Sequence, residues 1–369
     1  MAHAASRHPR DLTDEQWALI GPFLPTLPRR RDGRGRPWRQ NRAVLNGILW
    51  VLRTGAPWAD LPDRYPSYQT CHRRFQHWVR AGLLRSILEI LAQALHDEGY
   101  LDLQEAFIDG SFAPAKRGGA CVGKTKRGKG SKIMAIADRQ GRPVAVHVER
   151  ATPHEVTLVH ATLAERFLSQ LPARLIGDNA YESDRLDAEL ARHGVELIAP
   201  HRRTRTQRTQ DGRPLRRYRR RWKVERLFAW LQKFRRIVVR YERFAENFLG
   251  MLHLACCLIL LRGFMRWLLV SPTAERIAVL FLARVPTSSR GAQLRAREQA
   301  LHGGHNLPAR NVGLHGSDGA QAALTLPPCA ARSPLPSELA APAIVTSRSW
   351  RTEGCHGLIP TSNSIRREI

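Results

Sequence analysis

Three acidic residues in three separate segments constrain this chain more than any other feature. Asp109 and Asp178 each end a short apolar run, which is the pattern of a buried strand. Glu225 lies instead in a segment of helical periodicity that is rich in arginine. Carboxylates gathered from separate elements and surrounded by cationic side chains are typical of sites that hold divalent metal ions against phosphate. The pattern therefore predicts chemistry on a DNA strand.

The charge of the chain points to the same class of partner. The sequence has 59 Lys and Arg against 32 Asp and Glu, a formal net charge of +27 and a pI of about 11.2. This surplus favours polyanions, because each neutralised phosphate releases counterions. The basic residues are clustered, which favours nucleic acid over the alternative of a basic protein with a solvated surface. Six cysteines without metal spacing and the lack of an apolar leader predict a reduced, cytoplasmic compartment, where the protein associates with the nucleoid.

Residues 1–99 are predicted to form an all-helical DNA-binding domain. Thr13 and Gln16 fit a capping box, and apolar residues recur at helical spacing from Val44 until Gly55. The next helix, 67–80, has a polar and basic side like the second helix of a helix-turn-helix reader, although the connector is long. The alternative is a helical packing domain with solvated arginines. The side chains of this helix predicted to face outward are Gln69, Thr70, His72, Arg73, Arg74 and Gln76, with Arg73 and Arg74 contacting DNA.

Residues 100–270 alternate strand and helix patterns, which predicts an α/β domain with a mixed sheet. In such sheets, acidic residues at strand ends can meet at one edge. A further apolar segment, 248–270, is interrupted by His253, Arg262 and Arg266, so it is predicted to be a core helix and not a membrane span. The predicted strands are 105–111, 132–137, 143–149, 173–177 and 195–199, and the predicted helices are 155–170, 183–193 and one that begins near Tyr218.

A glycine-rich basic stretch, 118–130, follows the first of these strands. It lacks the GxxxxGK[ST] pattern and the glycine spacing of a dinucleotide fingerprint, so a nucleotide-binding loop is the weaker interpretation. We expect a flexible loop that contacts the DNA backbone through Lys124, Lys126 and Arg127.

The surroundings of Glu225 depend on helical geometry. At 100° per residue, Tyr218, Arg221 and Glu225 share one face of a helix. An isolated Arg221–Glu225 pair at this spacing would contribute only a few tenths of a kcal/mol and would be an ordinary solvated pair. The presence of Asp109 and Asp178 elsewhere favours a functional role for Glu225.

Several short motifs together resemble the insertion-sequence five family of bacterial DDE transposases. Three of them are Ile-Asp109-Gly-Ser, Gly-Asp178-Asn-Ala-Tyr181 and Tyr218-x2-Arg221-x3-Glu225. The likeness extends over about residues 12–265, and the motifs occur in the order that the family has. The others are Arg36-Pro37-Trp38, Leu45-Asn46-Gly47-Ile48-Leu49-Trp50, Gly55-Ala56-Pro57-Trp58 and Tyr68-Gln69-Thr70-Cys71.

This resemblance implies a ribonuclease H-like catalytic core that cleaves and joins DNA by two-metal-ion phosphoryl transfer. It implies Mg²⁺, with Mn²⁺ as a substitute, bound by Asp109, Asp178 and Glu225. Tyr218 and Arg221 would hold DNA. The partners would be the terminal inverted repeats and the target DNA, bound by a homodimer, and no association with a membrane is expected. The family motif ends on Lys seven residues after the glutamate, where this chain has Gln232, followed by Lys233 as the candidate DNA contact.

Two other functions remain compatible with the residues. A tyrosine recombinase would use Tyr218 or Tyr241 as the nucleophile, but it would leave the three acidic residues without a role. A relic of a transposase that binds DNA without cleaving it is the other alternative. Residues 271–369 have no Lys and many Pro and Gly, so we expect a disordered C-terminal extension outside the catalytic domain.

Overall fold

The computed structural model describes residues 9–25, 38–203, 205–206 and 215–268. They all belong to the unit Met1–Asn306, whereas the second unit, Leu307–Ile369, lies outside the described residues. The predicted C-terminal extension, 271–369, therefore also lies outside them.

The helices of the N-terminal region begin and end close to where the sequence predicts. The capping box is confirmed: the Thr13 hydroxyl accepts from the Gln16 amide at 3.2 Å, and the Gln16 side chain accepts from the Thr13 amide at 3.2 Å. Ser67 occupies the N-cap position of the third helix, but its hydroxyl contacts Thr70 instead of the backbone. Gly55 ends the second helix at φ 72°, a left-handed conformation that favours glycine. Among the residues described up to Gly99, the α-helices are α1 (Asp14–Ile20), α2 (Asn41–Thr54), α3 (Tyr68–Arg80) and α4 (Leu83–Asp97).

The predicted outward orientation of Arg74 is wrong. Its guanidinium is buried, donates to Asn41 Oδ1 at 2.6 Å and lies 4.8 Å from the Trp38 ring. Arg74 follows Cys71 by three residues and precedes Trp78 by four, so it shares the buried face of α3 with them. Arg74 therefore ties α3 to the start of α2, and its neighbour Arg73 is the exposed arginine.

A mixed sheet forms the second part of the fold, as predicted, and it has six strands where the sequence predicts five. β1 (Ala106–Pro114) pairs antiparallel with β3 (Gly128–Ala137), and β3 pairs antiparallel with β4 (Pro143–Arg150). On its other side, β1 pairs parallel with β5 (Arg174–Ile176), which pairs parallel with β6 (Glu196–Ile198). An antiparallel hairpin beside β1 and two parallel strands on its far side form the ribonuclease H-like arrangement that the resemblance implies. This order puts β1 at the centre of the sheet.

The glycine-rich stretch is a β-hairpin, so the prediction of a flexible loop is wrong. β2 (Gly123–Thr125) pairs antiparallel with the first residues of β3, and the turn is at Lys126 and Arg127. The Thr125 hydroxyl donates to the Gly128 carbonyl at 2.9 Å and accepts from the Arg127 amide at 3.1 Å. Glycine obscured the strand pattern because it has a low intrinsic preference for strands. Lys124, Lys126 and Arg127 are exposed on this hairpin.

The single helix predicted over 155–170 is also wrong. The chain forms a 3-10 helix, Glu155–Leu158, and then a short α5 (Val159–Ala164). The segment after α5 leaves the helix to run along the edge of the sheet, where the Phe167 amide donates to the Val144 carbonyl of β4 at 2.8 Å. Burial of Phe167 in the core replaces the helical turn that periodicity predicts.

The remaining helices complete the core. α6 (Asp184–Ala191) follows β5, and the chain then forms α7 (Trp222–Gln232), α8 (Arg235–Val238) and α9 (Ala245–Leu268). α9 packs against α4 and β4, so the helical region and the sheet share one hydrophobic core. Over Ala245–Met265 it is long and apolar enough to cross a membrane, but 72% of its most apolar window is buried inside the protein. The prediction of a core helix is confirmed.

Candidate functional site

Asp109 lies in the middle of the central strand. It pairs with Ala135 of β3, and its side chain is 19% exposed. The Gly110 amide donates to Oδ1 at 2.8 Å, which leaves Oδ2 free to face a second group. Burial raises the pKa of Asp109 to about 6 against the opposing effects of the Gly110 hydrogen bond and Arg221, and the negative charges of Glu155 and Asp178 raise it further. Asp109 is thus a desolvated carboxyl group among other acidic groups.

Asp178 follows the neighbouring parallel strand. Because β5 runs parallel to β1, with Ile176 opposite Phe107, the ends of the two strands lie side by side. Asp178 caps a 3-10 turn, Asn179–Tyr181, and its Oδ1 accepts from the Ala180 amide at 2.8 Å. Its charge contributes to the raised pKa of Asp109. The two predicted strand-end carboxylates are therefore close enough to interact.

Glu225 reaches this region from α7, which packs against β1 and β3. The helix begins at Trp222, because Arg216–Arg220 forms a 3-10 helix, so the predicted start near Tyr218 is wrong. The buried side of α7 consists of Val224, Leu227, Phe228 and Leu231. Glu225 lies outside this side, and its side chain is 54% exposed. Tyr218 is half-buried against the core, with its ring centre 5.9 Å from the Arg221 guanidinium.

A single guanidinium joins two of the predicted metal ligands. Arg221 donates through Nη1 to Asp109 Oδ2 at 3.0 Å and through Nη2 to Glu225 Oε1 at 2.6 Å. The Arg221–Glu225 pair is therefore part of a three-residue bridge and is not the isolated solvated pair of the alternative interpretation. Arg221 was predicted to contact DNA, and its contacts in the structure are with these carboxylates.

The carboxylates around Arg221 are the candidate ligands for a divalent cation. Among the residues that the structure describes, no three acidic, His or Cys side chains lie close enough to hold one metal ion together. The guanidinium of Arg221 provides instead a positive charge between Asp109 and Glu225. Carboxylate oxygens are the ligands that Mg²⁺ and Mn²⁺ prefer, and two of them already converge on a cation here. The chemistry of this donor set therefore fits a divalent metal.

Sequence reasoning missed a fourth acidic group beside Asp109. Glu155, at the start of the 3-10 helix after β4, accepts from the Tyr181 hydroxyl at 2.9 Å. Its Oε1 also lies 3.7 Å from Lys132 Nζ. No motif in a single sequence marks Glu155, because its partners are on β3 and after β5. Tyr181 was in the motif around Asp178 and could have directed attention to this contact.

A basic cleft lies at the start of β1. Glu105 is buried, and its Oε1 accepts from Arg217 Nε at 2.9 Å and from Arg220 Nη2 at 2.6 Å. Arg139 and Arg216 complete the walls of an open cleft of about 500 Å³. Four arginines around one carboxylate leave an excess of positive charge on the strand that leads to Asp109. The only signal of this cleft in the sequence was the high density of arginines before α7. The sequence did not show which of these arginines contact Glu105.

The other residues predicted to bind DNA lie on separate elements. Arg73 is exposed on α3, the three basic residues of the hairpin are exposed at its tip, and Lys233 is exposed immediately after α7 ends. Gln232, which replaces the lysine of the family motif, is also exposed.

One carboxylate on the central strand, a second on the turn after the adjacent parallel strand and a glutamate on a helix packed against the sheet form the arrangement of DDE strand-transfer enzymes. Comparison with known families agrees. Residues 12–88 match the family described as a putative transposase of the IS4/5 family, and residues 101–260 match the transposase DDE domain.

Two curated relatives are described as putative transposases. The chain is 31% identical over 134 residues to a putative transposase for insertion sequence element IS6501 of Brucella ovis, which covers 36% of this chain and 98% of that protein. It is 36% identical over 138 residues to a putative transposase for insertion sequence element IS402 of Burkholderia cepacia, covering 35% and 62%. An insertion element IS402 uncharacterized 16.2 kDa protein of the same species is 40% identical over 117 residues, covering 31% of this chain and 80% of that protein.

A solved piggyBac transposase synaptic complex with hairpin DNA matches with a TM-score of 0.39 and 12% identity, covering 80% of this chain and 83% of that chain.

The chain therefore belongs to the IS4/5 family of insertion-sequence transposases and is a DDE transposase. This assignment removes the tyrosine recombinase alternative and implies a dependence on divalent metal.

Proposed function

We propose that this transposase cleaves and joins DNA at the terminal inverted repeats of its insertion sequence, with Asp109, Asp178 and Glu225 as its metal-binding carboxylates. The observation that carries this proposal is the Arg221 bridge, in which carboxylates from a strand and a helix converge on one positive group. Mg²⁺, or Mn²⁺ in its place, when bound supplies activation of the attacking hydroxyl and stabilisation of the departing oxygen.

The protein's own groups prepare this chemistry. The Gly110 amide holds Asp109 Oδ1 and directs Oδ2 into the site, and the Ala180 amide holds Asp178 in the same way. These two hydrogen bonds fix the carboxylates on rigid elements before DNA arrives, which reduces the reorganisation needed at the moment of reaction. Arg221 is placed to neutralise a phosphate once it leaves the carboxylates.

The DNA contacts are proposed to extend along the basic surfaces. The cleft around Glu105 offers arginines to backbone phosphates next to the catalytic strand. The hairpin tip, with Lys124, Lys126 and Arg127, and the exposed Arg73 and Lys233 would add further backbone contacts. Tyr218 would hold DNA close to Arg221. We propose that the protein acts as a homodimer on DNA in the bacterial cytoplasm, because two element ends must be processed together.

A strand-cleavage assay tests the proposal. A duplex that carries a candidate terminal repeat should be nicked only when Mg²⁺ or Mn²⁺ is present, leaving free 3′-hydroxyl ends and no protein attached to DNA. Specific binding without cleavage, in the presence of either metal, would instead support the non-catalytic relic. A covalent protein–DNA adduct would contradict the proposed chemistry altogether.

A further inference from the structure

We infer that Glu155 is a positioning residue of the catalytic site, which holds the turn carrying Asp178 against the central strand β1. The inference rests on the proposed roles of Asp109 and Asp178 as metal ligands. Three independent contacts of the Glu155 carboxylate support it.

The first contact is with the backbone beside Asp109. A Cβ atom on Gly110 would lie 2.6 Å from Glu155 Cδ and 2.6 Å from its Oε1, so the carboxylate packs directly against this glycine. Side chains alternate along a strand, so this is the face of β1 opposite to the Asp109 side chain. Glu155 therefore does not share a metal ion with Asp109 but supports the strand segment that carries it. Its negative charge also contributes to raising the pKa of Asp109, after the larger effect of burial.

The second contact leads to Asp178. Tyr181 is fully buried and donates its hydroxyl hydrogen to Glu155 Oε2 at 2.9 Å. The Tyr181 amide donates to the Asp178 carbonyl at 3.1 Å, within the 3-10 turn that Asp178 caps. The ring also lies against Gly177, where a Cβ atom would be 2.6 Å from Tyr181 Cδ2. Any displacement of the Tyr181 hydroxyl would therefore move the turn that orients Asp178.

The third contact fixes the carboxylate itself. Lys132 of β3 donates from Nζ to the Pro153 carbonyl at 2.6 Å and lies 3.7 Å from Glu155 Oε1. Lys132 pairs with Phe112 in the ladder, which places it on the same face of the sheet as Gly110. The carboxylate is thus held from β3, β1 and the Asp178 turn at once. A group held from three elements can set the distance between β1 and the end of β5.

Mn²⁺ titration calorimetry on the full chain without DNA tests this role independently of activity. Residues that orient a metal ligand typically change metal affinity by about 10-fold or more when they are removed. We therefore expect Glu155→Ala and Tyr181→Phe each to weaken Mn²⁺ binding by about 10-fold. Glu155→Gln should bind Mn²⁺ close to wild type, because its amide oxygen still accepts from Tyr181. The double variant Glu155→Ala/Tyr181→Phe should be no weaker than either single variant, because both remove the same hydrogen bond.

Glu149→Ala is the matched control. Glu149 lies opposite Lys132 in the ladder between β3 and β4, and its carboxylate accepts from the Arg150 amide at 2.7 Å. The control loses the same charge next to the same lysine but should keep wild-type Mn²⁺ affinity. Should Glu155→Ala unfold, which its thermal transition would reveal, the comparison of Tyr181→Phe with Glu155→Gln decides the question.

The outcomes separate the inference from the proposed function. Wild-type affinity in Glu155→Ala, a loss in Glu155→Gln as large as in Glu155→Ala, or additive losses in the double variant would each overturn the positioning role. Asp109→Asn should lose most Mn²⁺ affinity. If Asp109→Asn binds Mn²⁺ as well as wild type, the proposed metal site itself fails, whatever Glu155 does.

Discussion

Arg221 Nη1 lies 3.0 Å from Asp109 Oδ2, and the same guanidinium continues to Glu225. The arginine of the family motif thus compensates the charge of two of the carboxylates that we propose as metal ligands. A cation in this position competes with a divalent metal for the same oxygens. Metal loading and the release of Arg221 toward DNA are therefore expected to be linked.

Replacement of Arg221 by alanine should separate metal binding from catalysis. Without the competing guanidinium, Asp109 and Glu225 keep their charges uncompensated, so Mn²⁺ affinity should increase several-fold, by roughly 1 kcal/mol. Strand cleavage should nevertheless fall, because the phosphate loses its arginine partner. Calorimetry and cleavage assays measure the two effects. Arg217→Ala, which removes an arginine paired with Glu105, should leave Mn²⁺ affinity unchanged. Weaker Mn²⁺ binding in Arg221→Ala would show that the bridge does not compete with metal.

Metal binding should depend on pH through Asp109. Burial raises its pKa to about 6, so a proton competes with the metal below that pH and is absent above it. Mn²⁺ affinity should be nearly constant above pH 7 and about 10-fold weaker at pH 5, one unit below the pKa. Calorimetry between pH 5 and pH 7 gives the pH midpoint of the change in Mn²⁺ affinity. A midpoint near pH 4, the ordinary value of an aspartic acid, would mean that Asp109 is not desolvated in solution.

Replacement of two adjacent arginines on α3 should have different effects, one on stability and the other on DNA binding. Arg74 is buried against Asn41 and Trp38, so Arg74→Ala should lower the free energy of unfolding by about 2 kcal/mol, the value of a charged hydrogen bond with its packing. Arg73 is exposed, so Arg73→Ala should change it by less than about 0.5 kcal/mol. Only Arg73→Ala should weaken DNA binding without destabilising the protein. Urea unfolding and DNA titration distinguish them, and equal destabilisation by both variants would contradict the assignment.

Arg73 and Arg74 show that local patterns in the sequence predict strands and turns but not contacts between distant residues. The β3–β4 hairpin, the strand that contains Asp109 and the strand before Asp178 were predictable, because apolar runs and turn residues are local signals. Periodicity places residue 74 at the edge of the buried face of α3, and its inward position depends on Asn41, which is 33 residues away. Glu155 presents the same difficulty, since its partners Lys132 and Tyr181 come from other strands and turns.

In the candidate site, too, contacts between residues far apart in the sequence could not be predicted. The three acidic residues could be selected from the sequence, but the Arg221 bridge could not, because an i,i+4 spacing to Glu225 explains that arginine without reference to Asp109. The basic hairpin was missed because glycines mask a strand whose stability comes from pairing with β3.

The hairpin tip should contribute to DNA affinity through charge alone. Replacement of Lys124, Lys126 and Arg127 together by alanine should weaken binding to any duplex and lower the slope of log affinity against log salt by about 2 to 3, close to 0.9 per lost phosphate contact. Arg185→Ala on α6, an exposed arginine paired with Glu189, is the control and should change neither quantity. Fluorescence anisotropy at several salt concentrations measures the slope. An unchanged slope in the triple variant would remove the hairpin from the DNA surface.

The carboxylate trio is tested most directly by Mg²⁺-dependent nicking of terminal-repeat DNA in Asp109→Asn, Asp178→Asn and Glu225→Gln, each compared with wild type for DNA affinity at one salt concentration. The amides keep the size of each side chain but remove the charge that holds a divalent ion. We predict that all three variants bind DNA at least as well as wild type and that none produces nicked or joined strands above background. Wild-type nicking by any one of the three would contradict the assignment of that residue to the metal site.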